Sequence, residues 1–200
     1  MRKARFDFQG EGLIMLPRLT MTFALLTIAV PANAQADLES GLAGAVRGCE
    51  EWVLNPASWS EGIGPFVATV GLGSQMSLVE TVGEEALPPQ EMRAANHYWR
   101  INSTENAGYI LVVSDQLPIC HITGGGGSDL QPVVETVLAS EDFLARWAES
   151  DESSRGDMLT TEFRNREEPA FSIVISRAQE AGQRLDRVQV LASAMFELAD

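Results

Sequence analysis

Two stretches of the chain repeat apolar residues at helical spacing. The first begins after Asp37, a good N-cap residue, and stops before Asn55-Pro56, because a proline disfavours helix in the residue that precedes it. Its apolar positions share one helical face: Leu38, Leu42, Ala45, Cys49 and Trp52. The pattern predicts a first helix over about residues 38–53.

The second helical stretch follows Ser128 and Asp129, either of which can cap a helix. Its apolar positions follow the spacing i, i+3, i+4, i+7 and i+8: Leu130, Val133, Val134, Val137 and Leu138. A further apolar patch follows it and predicts another short helix, which ends at about residue 149. That patch consists of Phe143, Leu144 and Trp147.

Strand patterns lie between and after these helices. Residues 97–102 alternate, and Tyr109–Val113 is a continuous β-branched and aromatic run, typical of a strand buried on both faces. Together with residues 117–123 they predict an antiparallel meander of three strands. On the third strand, Cys120 and Ile122 share one face, whereas Ile119, His121 and Thr123 share the other.

The C-terminal third predicts three more strands. Residues 158–164 and 171–175 alternate, and residues 188–198 form a long final strand whose second face is half polar. Residues 151–156 (DESSRG) are interpreted as a polar loop. Residues 55–95 are interrupted by glycines and prolines, which indicate short strands or a turn of helix with long connections.

These elements predict an α+β domain over residues 35–200. Its order is helix, three strands, helix, three strands, with a mainly antiparallel sheet of about six strands in two meanders. Gly124–Gly127 lie where the first meander meets the second helix, and they are interpreted as a flexible connector that lets the helix return to the sheet.

The N-terminus has the pattern of a secretory signal peptide. Met21–Val30 is an apolar run of ten residues with Arg18 before it and Ala32-Asn33-Ala34 after it. Cleavage is expected after Ala34 or, alternatively, after Ala36, and Met15 would start a shorter, cleaner signal. The run is shorter than the roughly 20 residues that span a bilayer, and no cysteine follows either site, so no stable membrane anchor is expected. We expect an exported protein, in the periplasm of a Gram-negative bacterium or secreted.

The charge of the chain limits the kinds of partner that it is expected to bind. Residues 1–34 hold four basic and two acidic residues, so their removal leaves 10 basic and 26 acidic residues and a formal charge of −16. Such a surface repels nucleic acid and anionic membranes. It favours solubility, and it leaves a cationic protein or peptide as a possible partner.

Both cysteines, Cys49 and Cys120, belong to the mature chain. An even number of cysteines in an exported protein predicts a disulfide. A free thiol or a metal pair is the alternative, although there is no C-x-x-C motif and no nearby group of ligands. If Cys120 is bonded to the first helix, that helix covers the Cys120 face and His121 points to the opposite side.

The chain resembles small exported proteins of Gram-negative bacteria, most of them of unknown function. The resemblance lies in the signal peptide, in Tyr98-Trp99-Arg100, and in Pro118-Ile119-Cys120 followed by a glycine-rich turn and a helix. It covers about residues 37–148. It implies an exported location and the pairing of the cysteines, and it implies no activity.

Candidate chemistry centres on the two histidines, His97 and His121. Ser114 and Asp115 precede His121 across a predicted turn, so a Ser–His–Asp triad is one hypothesis, although no G-x-S-x-G motif occurs. A zinc site that uses both histidines with Asp115 or Glu105 is another, but the spacing matches no ligand motif. His97, Asp115 and His121 are therefore retained as a possible polar site, with no catalytic residue, metal or cofactor assigned.

Other motifs point to no chemistry. The G-x-G patterns lack a following G-K-[ST], which excludes a P-loop, and no calcium-binding loop occurs. The four glycines could bind an anion at the start of the second helix, but Asp129 would occupy that end of the helix itself. Paired carboxylates such as Glu50-Glu51 are expected by chance in so acidic a chain.

Two functional hypotheses remain. The first is a non-enzymatic interaction or envelope-associated module, which rests on the signal peptide, the cysteines and the missing catalytic motifs. The second is a metal-dependent or Ser/His hydrolase that uses His121 and His97, and it requires those side chains to converge.

Overall fold

The computed structural model describes residues 32–183 and 188–196. These residues form five α-helices and one antiparallel sheet of eight strands. The chain is thus an α+β protein, as the pattern predicted. The signal-peptide prediction falls mostly on residues 1–31, and Glu197 and Leu198 of the predicted final strand also lie outside the described residues.

The helices lie before and between two runs of strands. Their bounds are α1 Ala32–Leu54, α2 Ala57–Ser60, α3 Ile63–Val70, α4 Gln131–Leu138 and α5 Glu141–Arg146. The predicted first helix is α1, although it begins six residues earlier than expected. In α5, the Ser140 side chain caps the first turn by accepting a hydrogen bond from the Phe143 amide.

The strands form two four-stranded meanders that join in one sheet. Their bounds are β1 Met76–Val79, β2 Asn96–Ile101, β3 Ala107–Ser114, β4 Ile119–Gly126, β5 Trp147–Arg155, β6 Met158–Asn165, β7 Phe171–Ala178 and β8 Val188–Phe196. The order across the sheet is β1-β2-β3-β4-β8-β7-β6-β5, so β4 and β8 join the meanders at the centre.

A disulfide ties α1 to this centre. Cys49 and Cys120 are bonded with their Cα atoms 5.5 Å apart, and both side chains are fully buried. The prediction of this pairing is confirmed. The bond spans 71 residues, a loop length for which the chain-entropy model gives about 4 kcal/mol of stabilisation.

The hydrophobic core lies between the helices and one side of the sheet. It combines the apolar faces of α1, α3, α4 and α5 with the strand positions that share the Cys120 side, and Trp99, Leu111 and Ile173 are among its most buried members. Gly48 lets α1 approach closely, because a Cβ there would lie 2.9 Å from the Leu111 side chain. His121 lies on the opposite side of the sheet, as expected once Cys120 is bonded to α1.

The opposite side, which we call the open face, is formed by strand positions that alternate with the core positions. The main hydrophobic core includes no residue of this side. Its positions, by strand register, are Ser77 and Val79 in β1, Asn96, Tyr98 and Arg100 in β2, Gly108, Ile110, Val112 and Ser114 in β3, Ile119, His121, Thr123 and Gly125 in β4, Val188, Leu191, Ser193 and Met195 in β8, Ser172, Val174, Ser176 and Ala178 in β7, Met158, Thr160, Glu162 and Arg164 in β6, and Ala148, Asp151, Ser153 and Arg155 in β5.

The prediction of about six strands and two main helices is wrong in number. The sheet gains an edge strand on each side, β1 and β5. The predicted loop 151–156 belongs to β5, in which the last seven residues are exposed and polar. This segment contains no buried apolar residue, so it lacks the apolar alternation that reveals a strand. Residues 55–95 hold α2, α3, three 3₁₀ turns and β1.

The prediction of a flexible glycine connector is also wrong. Gly124–Gly126 continue β4 and pair with β3, and Gly124 and Gly125 also pair with β8. Gly124 lies beside the Tyr109 ring, where a Cβ would come within 2.7 Å of the ring carbons. The glycines therefore make room for a buried aromatic ring, and the chain reverses only after them.

The segment between β4 and α4 is held in place by β8. The buried Gln189 side chain donates hydrogen bonds to the carbonyl oxygens of Gly126 and Ser128 and accepts one from the Leu130 amide. Asp129 accepts a hydrogen bond from the Gln131 amide and another from the Gly182 amide. Neither Ser128 nor Asp129 is the N-cap residue, because α4 begins after Leu130.

We expect Gly124→Ala to lower the free energy of unfolding by roughly 1–3 kcal/mol, because its methyl group collides with the Tyr109 ring. Gly127→Ala is the matched control, since its nearest neighbour lies at an ordinary 3.4 Å, and we expect a change within about 0.5 kcal/mol. Urea unfolding of both variants measures the difference. Equal losses of stability in the two variants would show that Gly124 has no special packing role and would favour a flexible connector.

Candidate functional site

His97 and Asp115 form a hydrogen-bonded pair at one end of β2. The His97 Nε2 atom lies 2.8 Å from the Asp115 carboxylate, and both side chains are more than one-third exposed. His97 is paired with Val113 across the sheet and therefore lies on the core side, where its ring centroid is 5.4 Å from that of Trp52. Two of the three predicted polar-site residues thus meet, at the rim of the core.

The Ser114 hydroxyl is committed to the turn that follows β3. It donates to the Ala94 carbonyl and accepts hydrogen bonds of 3.1 Å from the amides of Gln116 and Leu117. The side chain is buried, and the backbone carbonyl of Ser114 accepts from the Trp52 indole. A hydroxyl held in this way is a turn-forming group rather than an activated nucleophile, because its proton and acceptor sites are occupied.

His121 lies apart from the other two predicted residues, on the open face. Its Nδ1 atom is 2.8 Å from the Ser193 hydroxyl, while its buried Nε2 atom has no hydrogen-bond partner among the described residues. Burial lowers the pKa of His121 from 6.5 to about 4, so the ring is neutral at neutral pH. A base so weak and without a carboxylate to orient it is poorly suited to proton abstraction.

The predicted triad and the predicted zinc site are therefore not assembled. His97 and His121 occupy opposite faces of the sheet, and Asp115 pairs with His97 alone. Across residues 32–183 and 188–196, no three His, Cys, Asp or Glu side chains converge as metal ligands would.

Sequence reasoning missed the contact between His121 and Ser193. The two residues are 72 positions apart and meet only because β4 pairs with β8. No motif marks such a contact. The one available signal was the half-polar second face of β8, which includes Ser193 between Leu191 and Met195.

The open face has an exposed apolar patch around Ser193. Leu191 and Met195 flank Ser193 along β8, and Val174 pairs with it from β7. Their exposed fractions are 37%, 52% and 36%, respectively. Met158, on the same face of β6, is exposed by 38%. Half of the large hydrophobic residues that are exposed in the described structure thus lie on this one face.

The first meander presents a different surface on the same face. Val112, Ile119, His121 and Thr123 are buried there. Beside them lies a cleft of about 350 Å³ whose lining includes Arg100, Glu105, Ile110, Thr123 and the paired glycines Gly108 and Gly125. The cleft is also lined by Glu85 and Ala86, and Ala86 and Met92 are buried outside the main core, so residues 84–94 cover this half. The exposed part of the open face is therefore the apolar half from β8 to β6.

Charge is distributed unevenly between the two sides of the sheet. The strand positions of the open face carry two acidic residues, Asp151 and Glu162, and three arginines, Arg100, Arg155 and Arg164. These strand positions are formally positive by one in a chain whose formal charge is −14, whereas Glu85 and Glu105 add negative charge where they line the cleft. Arg100 forms no ion pair with the described part of the chain.

A charged network on the core side joins the helices to the second meander. Arg146 contacts both Glu50 and Asp142, and Asp142 also lies 3.8 Å from Arg47. Asn165 donates a hydrogen bond to Glu50. The network connects α1, α5 and the end of β6, so Glu50 has a structural partner and the Glu50-Glu51 pair does not act as a unit.

No protein-family model, curated protein or solved structure matches the chain. Among the described residues, no helix is both long enough and apolar enough to cross a membrane. The geometry of the side chains therefore carries the functional interpretation alone.

We expect stability to depend on the charge of His121. The folded state binds its proton only near pH 4, whereas the unfolded state binds it near pH 6.5, so the free energy of unfolding falls as the pH drops through this range, by up to about 3 kcal/mol. His121→Gln removes this contribution. Urea unfolding at about pH 7 and about pH 4.5 compares the two proteins.

The control for this experiment is Ser193→Ala, which removes the hydroxyl and leaves the buried imidazole. It should keep the pH dependence of the wild-type protein. An identical pH dependence in the wild-type protein and in His121→Gln would show that protonation of His121 does not cause the loss of stability at low pH.

Proposed function

We propose that the protein is an exported, non-enzymatic interaction module that binds through its open face. The observation that carries this proposal is the patch of Val174, Leu191 and Met195, which is apolar, exposed and opposite the helices. Large contiguous apolar patches on soluble proteins commonly mark binding sites. The separation of His97 from His121 and the occupied Ser114 hydroxyl count against the alternative hydrolase site built from these residues.

The disulfide supports the exported part of the proposal. Disulfides persist in oxidising compartments and are rare where thiols are kept reduced. The bond between Cys49 and Cys120 joins two fully buried residues, one of them in the central strand, so it belongs to the folded core rather than to an exposed redox pair.

Export can be tested through the signal peptide. The double variant Leu25→Arg with Leu26→Arg interrupts the apolar run, and we expect it to stay in the cytoplasm with both cysteines reduced and alkylated once the protein is denatured. The wild-type protein should begin at Gln35 or Asp37 and resist alkylation until it is reduced. Thr27→Ala keeps the run apolar and is the control. A soluble wild-type protein that keeps its N-terminal segment would refute export.

The binding role can be tested by photo-crosslinking in cells. A photoreactive amino acid at Met195, on the open face, should give covalent adducts in high yield. The same amino acid at Leu144 is the matched control, because Leu144 is 47% exposed but lies on α5, on the helical side. Equal yields at the two positions would show that the open face is not an interaction surface.

A further inference from the structure

We propose that the cleft beside β2 to β4 binds a small zwitterionic ligand, of the class of basic amino acids and short basic peptides. The carboxylate of the ligand pairs with Arg100, and its cationic groups pair with Glu85 and Glu105, all three of which line the cleft. This site is separate from the exposed apolar half of the open face. It therefore adds a second binding function to the one proposed above.

The size of the cleft selects a small molecule. Its volume of about 350 Å³ lies at the lower end of the roughly 300–1,000 Å³ that small-molecule sites occupy. Its lining includes Gly108 and Gly125, which pair across β3 and β4 and have no side chains to fill the space. Ile110 is half-buried in the same lining, so it offers apolar surface to the aliphatic stem of a lysine or arginine.

Opposite charges line the cleft without neutralising each other. Arg100 lies in the register row of Ile110 and is exposed, as are Glu85 and Glu105. None of these three charged groups forms an ion pair within the described chain. The guanidinium donors and the carboxylate acceptors are therefore available to a ligand that lies between them.

One wall of the cleft is held in place by its own hydrogen bonds. The Thr104 hydroxyl accepts from the Asn106 amide at 3.4 Å and from the Ala107 amide at 3.0 Å, and it donates to the Ala107 carbonyl at 3.1 Å. Glu105 lies inside this turn. Its backbone is thus positioned before a ligand binds, which lowers the entropy lost on binding.

The opposite wall is fixed in a similar way. Glu85 lies in the 3₁₀ turn Glu84–Ala86, in which the Ala86 side of the turn is buried. Arg93 contacts the Glu84 carboxylate at 3.2 Å and donates a hydrogen bond to the Pro88 carbonyl at 2.7 Å. This arginine therefore secures the segment through Glu84 and leaves the neighbouring Glu85 carboxylate for a ligand.

The charge of the site defines the class of ligand. The described lining carries one arginine and two glutamates, and the whole chain has a formal charge of −14. A simple carboxylate would be repelled by this field, whereas a ligand with a net positive charge is attracted by it. Free lysine and free arginine carry one carboxylate and two cationic groups at neutral pH, and so they complement all three charges of the cleft.

Titration calorimetry of the purified protein with L-lysine, at pH 7 and low ionic strength, tests the proposal. We expect a dissociation constant of about 1 mM or lower. Arg100→Gln should weaken binding about fivefold or more, because the ligand carboxylate loses its partner. Arg155→Gln is the matched control, since it removes the same charge from an exposed position on β5 and should leave the affinity within about twofold.

The cationic end of the ligand is tested with norleucine, which keeps the α-amino acid group and lacks the side-chain ammonium. The wild-type protein should bind norleucine at least about fivefold more weakly than lysine. The double variant Glu85→Gln with Glu105→Gln should lose this preference. The double variant Glu149→Gln with Glu152→Gln removes two exposed charges from β5 and should keep it.

The outcomes that overturn the proposal are specific. They are no binding of lysine or arginine at about 10 mM, or an equal loss of affinity in Arg100→Gln and Arg155→Gln, which would show general electrostatic attraction only. Urea unfolding of each variant confirms that it is folded. Crosslinking at Met195 reports on a different surface, so failure of either proposal leaves the other standing.

Discussion

The pairing of β4 with β8 is the contact on which the architecture depends. Each meander alone is a four-stranded sheet, and only the register from Ile119–Met195 to Gly124–Val190 makes them one sheet. The same strand β4 carries Cys120, so the disulfide fixes α1 over the join. Gln189 of β8 then anchors the start of α4. The paired strands β4 and β8 therefore join the two halves of the sheet and fix both α1 and α4 to it.

The sequence predicted those elements in which one side is clearly apolar. In β4, Cys120 and Ile122 alternate with His121 and Thr123, and this alternation predicts which residues share a face. The predicted disulfide then indicates that the Cys120 face lies against α1. The stripe of α4 and the alternation of β6 and β7 were visible for the same reason. In each case, burial on one side imposes a period on the sequence.

The missed elements lack that period. The exposed end of β5 (ESDESSR) has no apolar residue, and Gly124 has no side chain whose burial could be read. The glycines indicate a loop when taken alone, because the reason for them, the Tyr109 ring, lies on a neighbouring strand. The prediction that the candidate site residues converge was wrong for a similar reason. Ser114, Asp115 and His121 are close in sequence, yet strand alternation and the turn after β3 direct them to different partners.

The acidic edge strand has a consequence for how the molecule assembles. An unpaired edge is a template for adding strands from other molecules, and such addition has no natural end. Like charges lie along β5, at Glu149, Asp151 and Glu152, and a register shift between Glu149 and Asp151 interrupts its regular pairing. At the other end of the sheet, β1 is only four residues long. Lateral growth into fibres is thus discouraged at both edges, and the sheet stays a unit of finite width.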